Sequence, residues 1–280
     1  MTLQDTITLS NKIEMPKIAL GTWLTPAEVA QDIVKEAIKL GFRHIDTAQA
    51  YNNEESVGKG IRESGIPRNE IFVTTKVAAE IKNYVGTVYS IEKSLEKLGI
   101  EYIDLLLIHA PMPWDYIHGP KRYFNENREV WKAMEKFYFE GKIKALGVSN
   151  FKKEDIKNIV ENCKIEPVAN QIKMHPKSSN VTLYKYLQGT NLAIQAYSPL
   201  AHGEVLNEPL LLKLGEKYGA TTAQICVKYA LQRKTCPVIK SLNPQHLKQF
   251  QSLDFHISEE DMNAITRLGA IRRHLNKKNC

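Results

Sequence analysis

The chain has few cysteines: Cys163, Cys226, Cys236 and Cys280 are the only four in 280 residues. None forms a CxxC pair, and none has a histidine at metal-ligand spacing, which argues against a structural zinc site; no metal is expected. No apolar run approaches the roughly 20 residues that a bilayer span needs, so no membrane association is expected. The opening residues Met1–Thr6 lack a basic stretch followed by an apolar one, so no signal peptide is expected and a reduced, cytoplasmic protein is the expectation. A glycine-rich dinucleotide loop is also missing. Gly58 and Gly60 fall inside a helical pattern, with no third glycine where such a loop needs one.

What is present is ordinary for a soluble globular protein: 43% hydrophobic, 25% charged and 8% aromatic residues. Acidic residues are outnumbered, 31 against 38 lysines and arginines, giving a net charge of +7. Such a balance suits an anionic partner: nucleic acid, an acidic membrane surface or a phosphate-bearing ligand. Apart from the tail after Leu268, basic residues do not cluster on a helix, and no base-stacking motif accompanies them, so no nucleic-acid partner is expected. The tail itself, Ala270–Cys280, reads as a solvated terminus.

Short apolar runs alternate with amphipathic stretches, the pattern of βα units. The strand candidates are 17–20, 44–47, 71–76, 103–109, 144–149, 168–171, 192–198 and 237–241. Several are almost continuously apolar, as strands buried on both faces of a parallel sheet are. Val29, Ile33, Ala37 and Leu40 share one helical face, as do Val88, Ile91, Leu95 and Leu98. Gly41, Gly65, Gly99, Gly141 and Gly189 follow helical patterns, where a left-handed cap favours glycine. Eight strands leave about 35 residues for each unit, enough for a strand, a crossover helix and two loops. The expectation is an α/β fold, an eightfold β/α (TIM) barrel in one domain over residues 1–280, preceded by a short β-hairpin over Ile7–Met15. The segment Ala110–Phe124 breaks the alternation. Its length and its aromatics (Trp114, Tyr116, Tyr123, Phe124) mark a binding loop, or a loop packed onto the barrel by those same rings.

Polar residues stand where buried strands end. Asp46 closes one strand, with Tyr51 just beyond it; Lys76 closes the next and His109 the one after. In a barrel these ends converge on one mouth. A tyrosine is too weak an acid to donate a proton efficiently at neutral pH, but a neighbouring lysine cation lowers its pKa. An aspartate paired with the lysine holds the ammonium in place, and a histidine can orient a substrate oxygen. Together they form a proton donor aimed at a carbonyl oxygen. Singly, each has a plainer account: a buried salt bridge explains Asp46 and Lys76, and a core histidine explains His109. The joint placement favours chemistry.

Gly41–Gly58 (GFRHIDTAQAYNNEESVG) resembles the first signature of the aldo-keto reductases, and Gly141–Phe151 (GKIKALGVSNF) resembles another. Gly21-Thr22-Trp23, Ala196–Leu200 (AYSPL) and Lys240-Ser241 follow in the family's order, so the resemblance runs from about Ile7 to Leu268. It implies an eightfold barrel and NAD(P)H-dependent reduction of aldehydes or ketones. The family's catalytic tetrad would correspond to Asp46, Tyr51, Lys76 and His109, with Tyr51 as proton donor. Ser149, Asn150 and Gln171 would hold the nicotinamide carboxamide, and Tyr197 would stack on the ring. Ser198, Leu200, Lys240 and Ser241 would lie along the phosphates.

Where the family usually places an arginine and then Glu-Asn after its Lys-Ser pair, this chain has His246, Gln249 and Phe250. Lys240 remains and Lys248 is near. The resemblance therefore implies NADPH as cofactor, with NADH discriminated against less than is usual, because histidine lacks the permanent bidentate charge of arginine. Trp23 and Trp114 would shape the pocket for a small-molecule carbonyl substrate, in a monomer. The alternative from another class is a cofactor-binding regulatory or structural relative that does not rely on turnover.

Overall fold

The computed structural model describes residues 3–117, 119–178 and 181–276, and side chains up to residue 269. The basic tail from Ala270 and Cys280 thus lies outside the described side chains, as do Met1 and Thr2. Strands β1 (Thr6–Thr8) and β2 (Glu14–Pro16) pair antiparallel, with Ile7 opposite Met15. This is the expected hairpin.

Eight parallel strands follow and close into a barrel: β3 (Ala19–Gly21), β4 (His44–Asp46), β5 (Phe72–Val77), β6 (Leu105–Ile108), β7 (Leu146–Ser149), β8 (Ala169–Lys173), β9 (Ala193–Tyr197) and β10 (Thr235–Ile239). Neighbours in sequence are neighbours in space, and β10 pairs back onto β3. Each expected strand is found, with shifted ends. The first begins at Ala19, two residues late. The last covers 235–239 in place of 237–241, so Lys240 and Ser241 stand on the loop beyond it.

Helices α1 (Ala27–Lys39), α2 (Glu54–Arg62), α3 (Tyr84–Leu98), α4 (Phe124–Phe139), α5 (Lys153–Val160) and α6 (Val181–Gln188) each connect consecutive strands. The regular alternation then fails. Two helices, α7 (Pro209–Tyr218) and α8 (Thr222–Gln232), lie between β9 and β10, and α9 (Pro244–Lys248) and α10 (Glu259–Asn276) follow. The extra pair begins where Gly219, at φ +62°, ends α7 and the Thr221/Gln224 capping box starts α8 at once.

The buried stripe of α1 is Ala30, Ile33, Val34, Ala37 and Ile38. Ile33 and Ala37 are buried as expected, but Val29 is exposed and Leu40 only half-buried, so the apolar face turns toward Ala30, Val34 and Ile38. Gly99 caps α3 at φ +59°, as expected, but Gly189 has no positive φ and serves no such cap. Gly58 and Gly60 belong to helix packing. A Cβ on Gly58 would overlap the carbonyl of Leu98, and one on Gly60 would meet Gln31 O at 2.6 Å.

The hairpin covers the N-terminal ends of the barrel strands. Leu9 and Met15 are buried there with Phe72, Leu105, Leu107, Val168 and Cys236, and Asn11 Nδ2 donates to Lys144 O. The opposite end is open. Around it the loop of residues 110–123 is tied down from beneath: Lys82 Nζ donates to Ala110 O, and Asn127 Nδ2 donates to Pro111 O. A 3-10 turn at Trp114–Tyr116 interrupts that loop. Among the described residues no helix is long and apolar enough to cross a membrane.

Candidate active site

At the C-terminal ends of the strands a cleft of roughly 1260 Å³ runs from Tyr51, His109 and Trp114 at one end to Lys240, His246 and Phe250 at the other. Asp46 is the last residue of β4, and Lys76 is the penultimate residue of β5. Their register (Asp46 opposite Thr74) brings the Lys76 ammonium up beside the carboxylate. Lys76 Nζ lies 2.6 Å from Asp46 Oδ1, 2.8 Å from Thr47 O and 3.4 Å from Tyr51 Oη. Tyr51 reaches this point from the 3-10 turn Gln49–Tyr51, and Asn52 then reverses the chain at φ +56°.

Asn53 locks that turn in place. Its Nδ2 donates to Thr22 O and Thr25 O, both at 2.9 Å, while Thr47 Oγ1 donates to its Oδ1. The loop that carries Trp23 is therefore fastened to the loop that carries Tyr51. Neither Asn53 nor this linkage was among the sequence candidates, because an asparagine in a turn carries no distinguishing pattern.

The electrostatics differ from the sequence argument in one respect. Lys76 was expected to bring the Tyr51 pKa down. Burial outweighs it, and the phenol is raised above its ordinary value even though Lys76 pulls the other way. Burial also opposes the charge on Lys76, but Asp46 and Tyr51 more than offset this, and its pKa rises. His109 is lowered to about 3, chiefly by burial and then by Lys76 and Lys82, so its ring is neutral at physiological pH. His109 Nδ1 is buried without a hydrogen-bond partner, which leaves Nε2 as the ring nitrogen available to a ligand in the cleft. The ring is wedged edge-on between Tyr51 (5.5 Å) and Trp114 (5.3 Å).

A second layer lies beside the first. Asn150, at φ +62°, spans the mouth, a backbone conformation that asparagine tolerates better than most residues. Its Nδ2 donates to His109 O and Ser149 Oγ, and its Oδ1 accepts from Tyr197 Oη at 2.9 Å. Ser149 Oγ donates to Gln171 O. Gln171 Nε2 donates both to Asp46 Oδ2 at 2.7 Å and to Gln195 Oε1 at 3.0 Å. The carboxamide candidates and the tetrad candidates thus form one connected network, which sequence separation had hidden.

At the far end Ser198, Leu200, Lys240, Ser241 and His246 all line the cleft. Lys240 and His246 are exposed. Lys248 is exposed and is not among the residues lining the cleft. Ser198, Ala201 and His202 all have positive φ, and Trp23 meets the His202 ring edge-on at 5.2 Å across the cleft. Thr221 and Thr222, at the start of α8, and Lys173, at the end of β8, also line it. Sequence reasoning missed these three. Lys173 stands two residues past Gln171 on the same inward face, a spacing that would have pointed to it.

The cleft suits a dinucleotide. It is larger than the few hundred Å³ typical of a small-ligand pocket; amide and hydroxyl groups cluster at its inner end and the cations Lys240 and Lys173 lie along it. A family model described as the Aldo/keto reductase family matches residues 17–270. A 9,11-endoperoxide prostaglandin H2 reductase of Trypanosoma cruzi is 40% identical over 273 residues, covering 95% of this chain and 92% of its own length. A glyoxal reductase of Bacillus subtilis is 38% identical, covering 97% and 95%. The solved structure of a Bombyx mori aldo-keto reductase in complex with NADP matches with a TM-score of 0.86 at 33% identity, covering 96% of this chain and 94% of that one.

Proposed function

The chain belongs to the aldo/keto reductase family, an NAD(P)H-dependent group of oxidoreductases, and on that premise we propose that it reduces an aldehyde or ketone to the alcohol with NADPH as hydride source and Tyr51 as proton donor. The observation that carries this reading is the contact of Lys76 Nζ with both Asp46 Oδ1 and Tyr51 Oη at the floor of the cleft.

When bound, the reduced nicotinamide supplies the hydride. The residues of the chain supply position and the proton. Burial keeps Tyr51 protonated, so the donor is loaded before a substrate arrives. A carbonyl oxygen gaining negative charge takes the proton from Tyr51 Oη, and the Lys76 ammonium stabilises the phenolate left behind. Asp46 fixes that ammonium. Neutral His109 donates from Nε2 to the same oxygen and sets its direction. Trp23 and Trp114, both partly exposed at the mouth, form apolar walls for the carbonyl substituents.

Ser149, Asn150 and Gln171 are the groups for the carboxamide, and Tyr197 is the aromatic face for the ring. Burial raises the Tyr197 hydroxyl to about 12, so it remains a donor to Asn150. Ser198, Leu200, Lys240, Ser241 and His246 border the phosphates. Lys240 gives the site its preference for the 2′-phosphorylated dinucleotide, and the histidine at 246 weakens it. The test is consumption of NADPH and of NADH by purified protein with a panel of aldehydes and ketones. Turnover with NADPH ahead of NADH is expected, and no turnover with any carbonyl would overturn the reading.

A further inference from the structure

We propose that Gln195 is a positioning residue that acts through Gln171 to make the carboxamide subsite a hydrogen-bond acceptor; the inference rests on the nicotinamide reading above. Gln195 is fully buried in β9, directly opposite Gln171 in the register of β8 and β9. Its Oε1 accepts from Gln171 Nε2 at 3.0 Å, and its Nε2 lies 3.5 Å from the thioether sulfur of Met15.

The orientation of both amides is forced by chemistry. A carboxylate only accepts hydrogen bonds, so the Gln171 atom 2.7 Å from Asp46 Oδ2 is the nitrogen. That nitrogen has two N–H groups. Asp46 takes one and Gln195 Oε1 takes the other. Reversing Gln195 would set two NH2 groups against each other, and Met15 sulfur, a weak acceptor, suits the nitrogen on the far side. Asp46 thus accepts from both the Lys76 ammonium and Gln171, and Gln171 donates in turn to Gln195, whose nitrogen faces Met15.

With both N–H groups engaged, Gln171 has only its Oε1 to offer, and among the described residues no hydrogen bond occupies that atom while the residue lines the cleft. An acceptor at that place selects a ligand that donates. A carboxamide meets it with its NH2, whereas a methyl ketone of the same shape does not. Without Gln195, one N–H of Gln171 loses its partner and Asp46 alone holds the amide, so its plane is free to swing about that single contact and Oε1 is no longer fixed toward the cleft.

The experiment compares dissociation constants of NADP+ and of its 3-acetylpyridine analogue, which carries a methyl in place of the carboxamide NH2, by quenching of protein fluorescence. Wild type is expected to bind NADP+ about five- to tenfold more tightly than the analogue, the usual range for one neutral hydrogen bond. In Gln195→Met, of similar length and apolar, the ratio should fall to about twofold or less, and Gln171→Met should abolish it. A ratio unchanged in Gln195→Met, whatever its melting temperature, would show that Gln195 only fills the core and would overturn the proposal. Should that variant fail to fold, Gln195→Thr bears the same comparison. Discrimination absent in wild type that still binds NADP+ would overturn the proposal and leave the nicotinamide reading standing; failure of wild type to bind either dinucleotide would overturn both.

Discussion

Lys76 Nζ stands 2.6 Å from Asp46 Oδ1 with both side chains closed off from water. Removing one member of such a pair leaves the other charge buried and uncompensated. Lys76→Met should therefore destabilise the protein by about 3–5 kcal/mol, as well as abolishing reduction. Urea unfolding of the single variant and of Lys76→Met/Asp46→Leu checks this. The double variant should recover part of the loss, and equal losses in both would contradict it.

Tyr51→Phe removes the proton while leaving the ring. Reduction should fall by about two to four orders of magnitude, with NADPH affinity almost unchanged. Near-normal turnover in that variant would refute the role given to the phenol.

His246 is exposed at the same end of the cleft as Lys240. His246→Arg should raise the ratio of kcat/KM for NADPH over NADH by about tenfold, because guanidinium is always charged and pairs bidentately with phosphate. An unchanged ratio would mean that the 2′-phosphate does not lie near residue 246.

Two buried histidines make the fold acid-sensitive. Burial lowers His44 to about 4 and His109 to about 3, whereas in the unfolded chain both titrate near the ordinary histidine value of about 6.5. Between those values the unfolded chain binds protons that the native state excludes, so stability rises with pH across the window and is lost as pH falls below about 6.5. Each group contributes a slope of about 1.4 kcal/mol per pH unit there. Urea midpoints taken between about pH 5 and pH 7 should flatten in His109→Gln, and an identical slope would show that His109 is not held neutral.

Lys173 supplies an exposed positive charge in the cleft, with no ion-pair partner among the described residues. An aldehyde carrying a carboxylate should be reduced about three- to tenfold more efficiently than a neutral aldehyde of the same length. Lys173→Met should remove that advantage, leaving the two aldehydes reduced with similar kcat/KM. Equal efficiencies in wild type would count against any such preference.

The architecture was legible because buried parallel strands read as apolar runs: the stretch around Leu105–Ile108 has no other easy explanation. The tetrad candidates were legible because a polar residue at the end of such a run is conspicuous. The additional helix between β9 and β10 was not, since α7 and α8 meet at Gly219 with no loop long enough to separate their patterns. The pKa of Tyr51 was not either, because burial and the Lys76 charge oppose each other and only the folded structure shows that burial is the larger. Gln195, a polar residue within the run Ala193–Tyr197, was missed because its partner is visible only in the register of β8 against β9.

The N-terminal hairpin has a consequence for proton supply. By sealing one end of the barrel it turns the interior into a dead end. The polar column descending from Tyr51 stops at a thioether, and its lower members are amides, which do not relay protons readily. Under the mechanism proposed above, the described hydrogen bonds beneath Tyr51 offer the phenolate no proton. The proton that Tyr51 gives away would then be replaced from the open end, through space that the alcohol occupies until it departs.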